Sequence, residues 1–187
     1  SEVTTFSRVQ KPRRAAPDHA VRPTRAEINL SALRHNLHAL RCVTGSCSIW
    51  SVLKADAYGH GAPAVARTLE RAGVDGIAVA LLEEAIELRD AGIHTPILVM
   101  GGYYGDAEDE LLAHDLSPVV YEASHFERIA RAAARAGRRA NVHLKIDTGM
   151  ERIGIHYYSA GQLLEASLQC RHVEVEGIYS HFANADA

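Results

Sequence analysis

Six short apolar runs punctuate this chain, and amphipathic stretches separate them. The runs are Ile49 to Leu53, Gly76 to Ala80, Pro96 to Met100, Pro118 to Tyr121, Val142 to Ile146 and Val173 to Tyr179. Each is too apolar to keep one face in water. Between them, apolar residues recur every three or four positions, the period of a helix with one buried face. Strands buried on both faces and alternating with helices imply a parallel sheet covered by helices. Periodicity alone leaves a closed barrel and an open doubly wound sheet both standing. The chemistry-bearing residues favour the barrel: Lys54, Met100, Lys145, Asp147 and His181 fall at carboxyl ends of predicted strands, where (β/α)8 active sites are built. A complete barrel takes eight βα units and roughly 250 residues. These 187 residues supply about six. The expected fold class is therefore α/β, a partial (β/α)8 TIM-type barrel. The chain would be the front portion of a longer enzyme, folding poorly alone because its sheet edges stay open.

Punctuation residues refine the pattern. Ala26 to Leu30 reads as an opening strand, and Ser31 as the cap of a helix bearing Leu33, Leu37 and Leu40. Pro63 suits the first turn of the next helix, which carries Val65 and Leu69 and stops at Gly73. Leu81, Ala85 and Leu88 stripe a third helix ended by Gly92, and Asp106 opens a short one with Leu111 and Leu112. Ser124 with Glu127, and Ser159 with Gln162, have capping-box spacing; the second pair precedes Leu163, Leu164 and Leu168. Residues 1–24 stand apart. Arg8, Lys11, Arg13, Arg14 and Arg22 outnumber Glu2 and Asp18, prolines stand at 12, 17 and 23, and no period shows. They read as a flexible basic extension, with residues 25–187 as the incomplete domain.

The bulk numbers exclude several classes. A net charge of −3 leaves no electrostatic footprint for nucleic acid. No apolar run approaches the ~20 residues that span a bilayer, and no apolar segment near the start suits a secretion signal. Cys42, Cys47 and Cys170 are odd in number and match no zinc spacing. We read a reducing, cytoplasmic setting. The histidines are scattered without paired ligand spacing, so no metal is expected.

The most informative stretch is Ser51-Val52-Leu53-Lys54-Ala55-Asp56-Ala57-Tyr58-Gly59-His60-Gly61. An apolar strand meets one lysine and then a glycine-flanked turn into a helix. An amine at the end of a buried strand is partly desolvated, which favours its neutral, nucleophilic form. Such an amine attacks an aldehyde to form a Schiff base. On spacing alone, a lysine merely extending its charge from a strand end fits as well.

Residues Val52 to Gly61 resemble the pyridoxal-phosphate lysine motif of bacterial alanine racemases. Two further matches follow in order: His143-Leu144-Lys145-Ile146-Asp147-Thr148-Gly149-Met150-Glu151-Arg152-Ile153-Gly154, and Tyr179-Ser180-His181-Phe182-Ala183. The opening Ala26-Glu27-Ile28-Asn29-Leu30, with Ala32-Leu33 and His35-Asn36, also fits, so the resemblance runs from about Arg25 onward. It implies a barrel and pyridoxal 5'-phosphate as cofactor. It implies racemisation by two bases on opposite faces of Cα, interconverting L- and D-alanine for peptidoglycan, in a homodimer. Lys54 is then the cofactor-bearing lysine and the base that takes the proton from the D-isomer. The second base would be a tyrosine of the partner's carboxyl-terminal domain, which this chain lacks. Tyr58 would reach the cofactor phosphate, and Arg152 the phenolic oxygen and the substrate side of the site. His181 would bond an arginine lying beyond Ala187 and facing the pyridine nitrogen. Met100 and Val52 would pack against the ring. Lys145 matches a lysine carbamylated in many members, where the carbamate holds the arginine; an ordinary Lys145–Asp147 ion pair is the plain alternative.

Departures are modest. Asp56 stands where asparagine is also familiar, and Glu151 and Ile155 to Tyr158 are variable ground. Two other readings stay open: a racemase of another amino acid, such as serine or lysine, and a non-catalytic pyridoxal-phosphate-binding barrel. The latter would not carry the Lys-x-Asp-x-Gly-x-x-Arg run. By itself the piece is expected to be inactive.

Overall fold

The computed structural model describes residues 26–185. The basic extension proposed for residues 1–24 lies outside them. The chain divides into two compact units. One runs up to Ala78 and includes Ile86–Thr95. The other takes Val79–Ala85 and everything from Pro96 on.

The first unit opens with helix α1, Leu30–Thr44, followed by strand β1, Trp50–Val52, and a turn, Lys54–Gly59. Helix α2, Ala62–Arg71, and strand β2, Gly76–Val79, come next, and of helix α3, Leu82–Asp90, the residues from Ile86 on belong to this unit. Strands β1 and β2 are parallel, with Trp50 opposite Gly76 and Val52 opposite Ala78. A Cβ on Gly76 would meet the Trp50 ring at 2.3 Å, so the indole lies where only glycine leaves room. Arg41 fastens the end of α1: it donates to the Gly73 carbonyl at 2.7 Å and pairs with Asp75 at 2.7 Å. Asp75 in turn accepts from the Ile49 N–H at 2.7 Å, ahead of β1. Glu70 of α2 accepts from the His94 N–H, the Thr95 N–H and the Thr95 hydroxyl. Burial pushes the Glu70 carboxyl up, but these bonds outweigh it and hold it below its ordinary range. Leu37, Leu53, Val65, Leu69, Ile77, Leu88 and Ile93 are among the unit's buried aliphatics.

In the second unit β3, Ile97–Val99, is followed by α4, Glu108–Ala113, then β4, Ser117–Val120, and α5, Ala123–Arg135. Strand β5, Ala140–Asp147, leads to a two-residue strand β6, Ile155–His156. A 3-10 turn, Tyr157–Ser159, opens α6, Ala160–Gln169, and β7, Val173–Tyr179, follows. Strands β3, β4 and β5 pair in parallel in that order, and β5 also pairs with β6 and β7. Phe126, Ile129 and Ala133 of α5 bury against Val142 and Leu144 of β5, with Leu163 of α6 and Val173 of β7 in the same cluster. At roughly 1.5–3 kcal/mol for each fully buried large side chain, this cluster is the unit's principal source of stability. Gly177 repeats the arrangement at Gly76: it is the register partner of His143, whose ring a Cβ there would meet at 2.7 Å.

The parallel α/β alternation expected from the sequence is present, and all six predicted apolar runs contain strands. Five details differ. Ala26 to Leu30 is not a strand. Asn29 accepts from the Ala32 N–H at 3.0 Å and starts α1 two residues ahead of Ser31. Strand β1 is not fully buried: among the described residues it pairs only with β2, and Val52 is 38% exposed. The fourth helix opens after Ala107 rather than at Asp106. Neither capping box forms: Glu122 occupies the cap position of α5 with the Ser124 hydroxyl turned onto its carboxylate, and Ser159 caps α6 without a side-chain bond. Strand β6, two residues long, carries no legible period. Among the described residues no helix is long and apolar enough to cross a membrane, and all three cysteines are free.

Two histidines of the second unit resist protonation. The His125 ring lies between Tyr103 and Tyr121, with centroids 5.8 and 4.9 Å away, and near Glu122, Glu108 and Arg128. Burial lowers its pKa from 6.5, against the pull of Glu122. Burial lowers His143 likewise, against Glu176 at 3.8 Å. Above pH 6.5 the rings are neutral in both the folded and the unfolded chain. Below it the unfolded chain takes up protons that the folded rings refuse, so stability falls with pH. The urea midpoint of the full-length protein should therefore decline between about pH 7 and pH 5.5, with a slope of at most about 1.4 kcal/mol per pH unit for each ring. His125→Phe should flatten that slope; an unchanged slope in both His125→Phe and His143→Phe would refute the assignment.

Candidate active site

Strand β1 ends at Val52, and the buried Leu53 hands the chain to one turn of left-handed helix. Ala55, Asp56, Ala57 and Tyr58 all have φ between 52 and 56°. For residues with a Cβ this conformation costs about 1–2 kcal/mol each, so four in succession must be held from outside. Ala57 is 4% exposed, and its N–H donates to the Leu53 carbonyl at 2.9 Å. The Asp56 carbonyl accepts from the Gly61 N–H at 2.9 Å, and its Oδ1 accepts from the Ala62 N–H at 2.7 Å. His60 Nδ1 lies 2.8 Å from the Ala57 carbonyl, which can only accept, so that nitrogen carries the hydrogen. Gly59 and Gly61 extend the positive-φ path at 80 and 90°, where glycine alone travels cheaply.

The turn decides where three predicted residues stand. Lys54, its first residue, is half-buried, and Nζ lies 6.0 Å from the Tyr58 ring centre. Tyr58 is 59% exposed rather than packed beneath the loop, and Val52 opens beside it. A cleft of about 400 Å3 is lined by Val52, Ala57, Tyr58 and His60 together with Ile28 and Leu33. Lys54 belongs to the turn that follows β1 and not to the strand itself. At the amino end of α2 the Ala62 N–H is taken by the Asp56 carboxylate.

In the second unit Lys145 and Asp147 alternate on β5 and are 6% and 5% exposed. They do not pair. Asp147 Oδ1 accepts from the Gly149 and Glu151 N–H groups at 2.8 and 3.2 Å, and these bonds hold its pKa down. Lys145 Nζ lies instead 4.2 Å from the ring centre of Tyr179, its register partner on β7. Burial lowers the Lys145 pKa, the Arg152 charge lowers it further, and Asp147 opposes both. Burial pushes the Tyr179 phenol up to about 12, against Arg152. Arg152 is itself exposed. His181 is exposed in the loop after β7, and that loop meets the one after β5 where Thr148 and Ser180 share a hydrogen bond of 2.6 Å. Met100 is half-buried at the end of β3, its N–H on the Val79 carbonyl at 2.8 Å. Lys145, Asp147 and Arg152 thus form one group, the His181 loop adjoins it, and Met100 stands at another strand end.

Sequence reasoning assigned no role to Tyr179, because its position over Lys145 depends on a register the sequence does not display. It also passed over Glu151 and His156. With Asp147 these bring potential metal-ligand atoms within 4.8 Å of one another, although Asp147 is committed to backbone N–H groups and the Glu151 carboxylate lies 3.7 Å from the His156 ring.

Fold and site together define an α/β protein of parallel strands that sets an amine-bearing turn and a buried lysine cluster at strand carboxyl ends. Residues 28–187 match the family described as alanine racemase, N-terminal domain, and the chain belongs to that family. The alanine racemase of Sorangium cellulosum is 58% identical over 174 residues, covering 89% of this chain and 46% of that protein. The alanine racemase of Clostridium difficile 630 in complex with cycloserine superposes with a TM-score of 0.81 at 41% identity, over 89% of this chain and 46% of its own. A histidine racemase from Leuconostoc mesenteroides reaches 0.77 at 29% identity, over 84% of this chain and 43% of its own. The chain spans about half the length of the curated relatives it matches.

The lysine–tyrosine stack is open to measurement. In bicarbonate-free buffer, Tyr179→Leu should lower the stability of the full-length protein by about 1 kcal/mol more than Tyr179→Phe, which keeps the ring face for the Lys145 ammonium. Equal losses by urea unfolding would show that the ring face contributes nothing.

Proposed function

We propose that the full-length protein is a pyridoxal-phosphate-dependent alanine racemase and that this chain supplies its cofactor-bearing portion. The observation that carries the proposal is the Lys54–Gly61 turn, in a chain of this family. Its donor set suits the cofactor: a primary amine for the aldehyde, an exposed phenol that could donate to the phosphate with its ring centre 6.0 Å from that amine, and an open cleft beside the phenol. Bound pyridoxal phosphate supplies the electron sink that makes a Cα proton removable. The protein's part is geometry and proton transfer. The Lys54 amine would take the Cα proton from the D-isomer and, in the reverse direction, deliver one to that face, while a second base serves the opposite face. Tyr58 donates to the phosphate, Arg152 to the phenolic oxygen, and His181 orients an arginine supplied from elsewhere in the protein. Val52 and Met100 provide apolar packing for the ring.

Lys145 fits its proposed carbamate. A buried amine that burial and Arg152 both push toward neutrality is nucleophilic toward carbon dioxide. The product is an anion facing Arg152, which would exchange a like-charge contact for an attractive one. A homodimeric, cytoplasmic enzyme supplying D-alanine to the cell wall completes the proposal. The histidine racemase among the structural relatives keeps a second substrate in view, and assays across several amino acids separate the two.

Lys54→Ala in the full-length enzyme should abolish racemisation and remove the visible absorption of the bound cofactor. Borohydride should trap that cofactor on Lys54 in the unmodified protein. A retained absorption band in Lys54→Ala would overturn the assignment. Intact-mass measurement in bicarbonate should show one added carbon dioxide on the peptide that contains Lys145, absent in Lys145→Ala; no added mass would remove the carbamate.

A further inference from the structure

Resting on the cofactor reading above, we propose that Asp56 and His60 are positioning residues that clip the left-handed turn shut and so aim Lys54 and Tyr58. The turn does not hold itself. Four residues with a Cβ occupy a conformation that a free chain abandons. Lys54 stands at its first position and Tyr58 at its last left-handed position before Gly59. Relaxing any φ in between swings the amine relative to the phenol. Two side chains oppose that relaxation. The Asp56 carboxylate reaches forward six residues to the Ala62 N–H at 2.7 Å, tying the middle of the turn to the first residue of α2. The His60 ring reaches back to the Ala57 carbonyl at 2.8 Å and lies 3.2 Å from that of Tyr58, tying its far end. The Asp56 bond closes over Ala57 and Tyr58 and the His60 bond over Tyr58, and neither side chain is needed to bury apolar surface, since both residues are exposed.

A carboxylate at this position has a second effect. It takes the first N–H of α2 and puts a negative charge at the positive end of that helix. The phosphate of a ligand beside Tyr58 is thereby steered from the α2 amino end toward the phenol.

The test uses the full-length protein, with cofactor affinity measured by titrating the cofactor-free form with pyridoxal phosphate and following absorbance. Asp56→Ala removes the acceptor, while Asp56→Asn retains an oxygen for the Ala62 N–H. His60→Phe keeps the ring and removes the donor. Asp56→Ala and His60→Phe should each weaken cofactor affinity and lower kcat by about 100-fold, the scale of a misplaced reacting group. Asp56→Asn should restore most of both. A purely structural role would lower the melting temperature and leave affinity and kcat of the folded fraction unchanged, and that result would overturn the proposal, as would Asp56→Asn failing alongside Asp56→Ala. If Asp56→Ala does not fold, His60→Phe decides by the same readings. If the unmodified protein shows no borohydride-trapped cofactor, the functional reading itself has failed; if it traps cofactor and both variants load like the unmodified protein, only the clip has.

Discussion

A parallel strand has no hairpin to keep it in place. It stays ordered when neighbours occupy both of its edges, and β5 has β4 along one edge and β7 along the other. The second unit depends on that double pairing. It buries Val142 and Leu144 completely, gives α5 and α6 a surface to cover, and fixes the register that sets Tyr179 opposite Lys145. The same strand carries Lys145 and Asp147 to its carboxyl end, so the packing that stabilises the unit also desolvates the amine. Burial is what makes Lys145 unusual. It lowers the pKa of the amine, Arg152 nearby lowers it further, and Asp147 opposes both.

The first unit spends stability where the second gains it. The left-handed turn after β1 costs conformational energy, and its hydrogen bonds and the two flanking glycines only offset that cost. Strain of this kind persists where a side chain must point in a direction that ordinary backbone does not provide. Lys54 and Tyr58 occupy the two ends of the strained segment. A relaxed αR turn over the same residues would distribute them differently around the axis. The cofactor reading and the geometry therefore support each other, although neither was derived from the other.

Some expectations failed for reasons that can be named. Ala26 to Leu30 has strand-like alternation, but Asn29 finds the Ala32 N–H and begins a helix, a local bond outweighing a weak pattern. Ser124 and Ser159 have the right spacing for capping boxes without forming them, since spacing does not specify which way a hydroxyl turns. The Lys145–Asp147 ion pair, held as the plain alternative to a carbamate, gave way to backbone donors at Gly149 and Glu151, because the turn after β5 presents two N–H groups to the carboxylate. The cap on α2 was legible in principle: an aspartate six residues before Ala62 across two glycines is a short bridge. Its use, however, depends on φ values that composition does not reveal.

The amino-acid order by itself determined the alternation of parallel strands and covering helices, because apolar periodicity records burial directly. It also determined the family, since three motifs in series fall within the stretch that the family matches. Tertiary structure alone decided the handedness of the turn at Lys54, the ring beneath Lys145 and the partners of Asp147. Those outcomes depend on register and on competition among nearby hydrogen-bond donors. Both are settled only when distant strands pair, and neither leaves a period in the sequence.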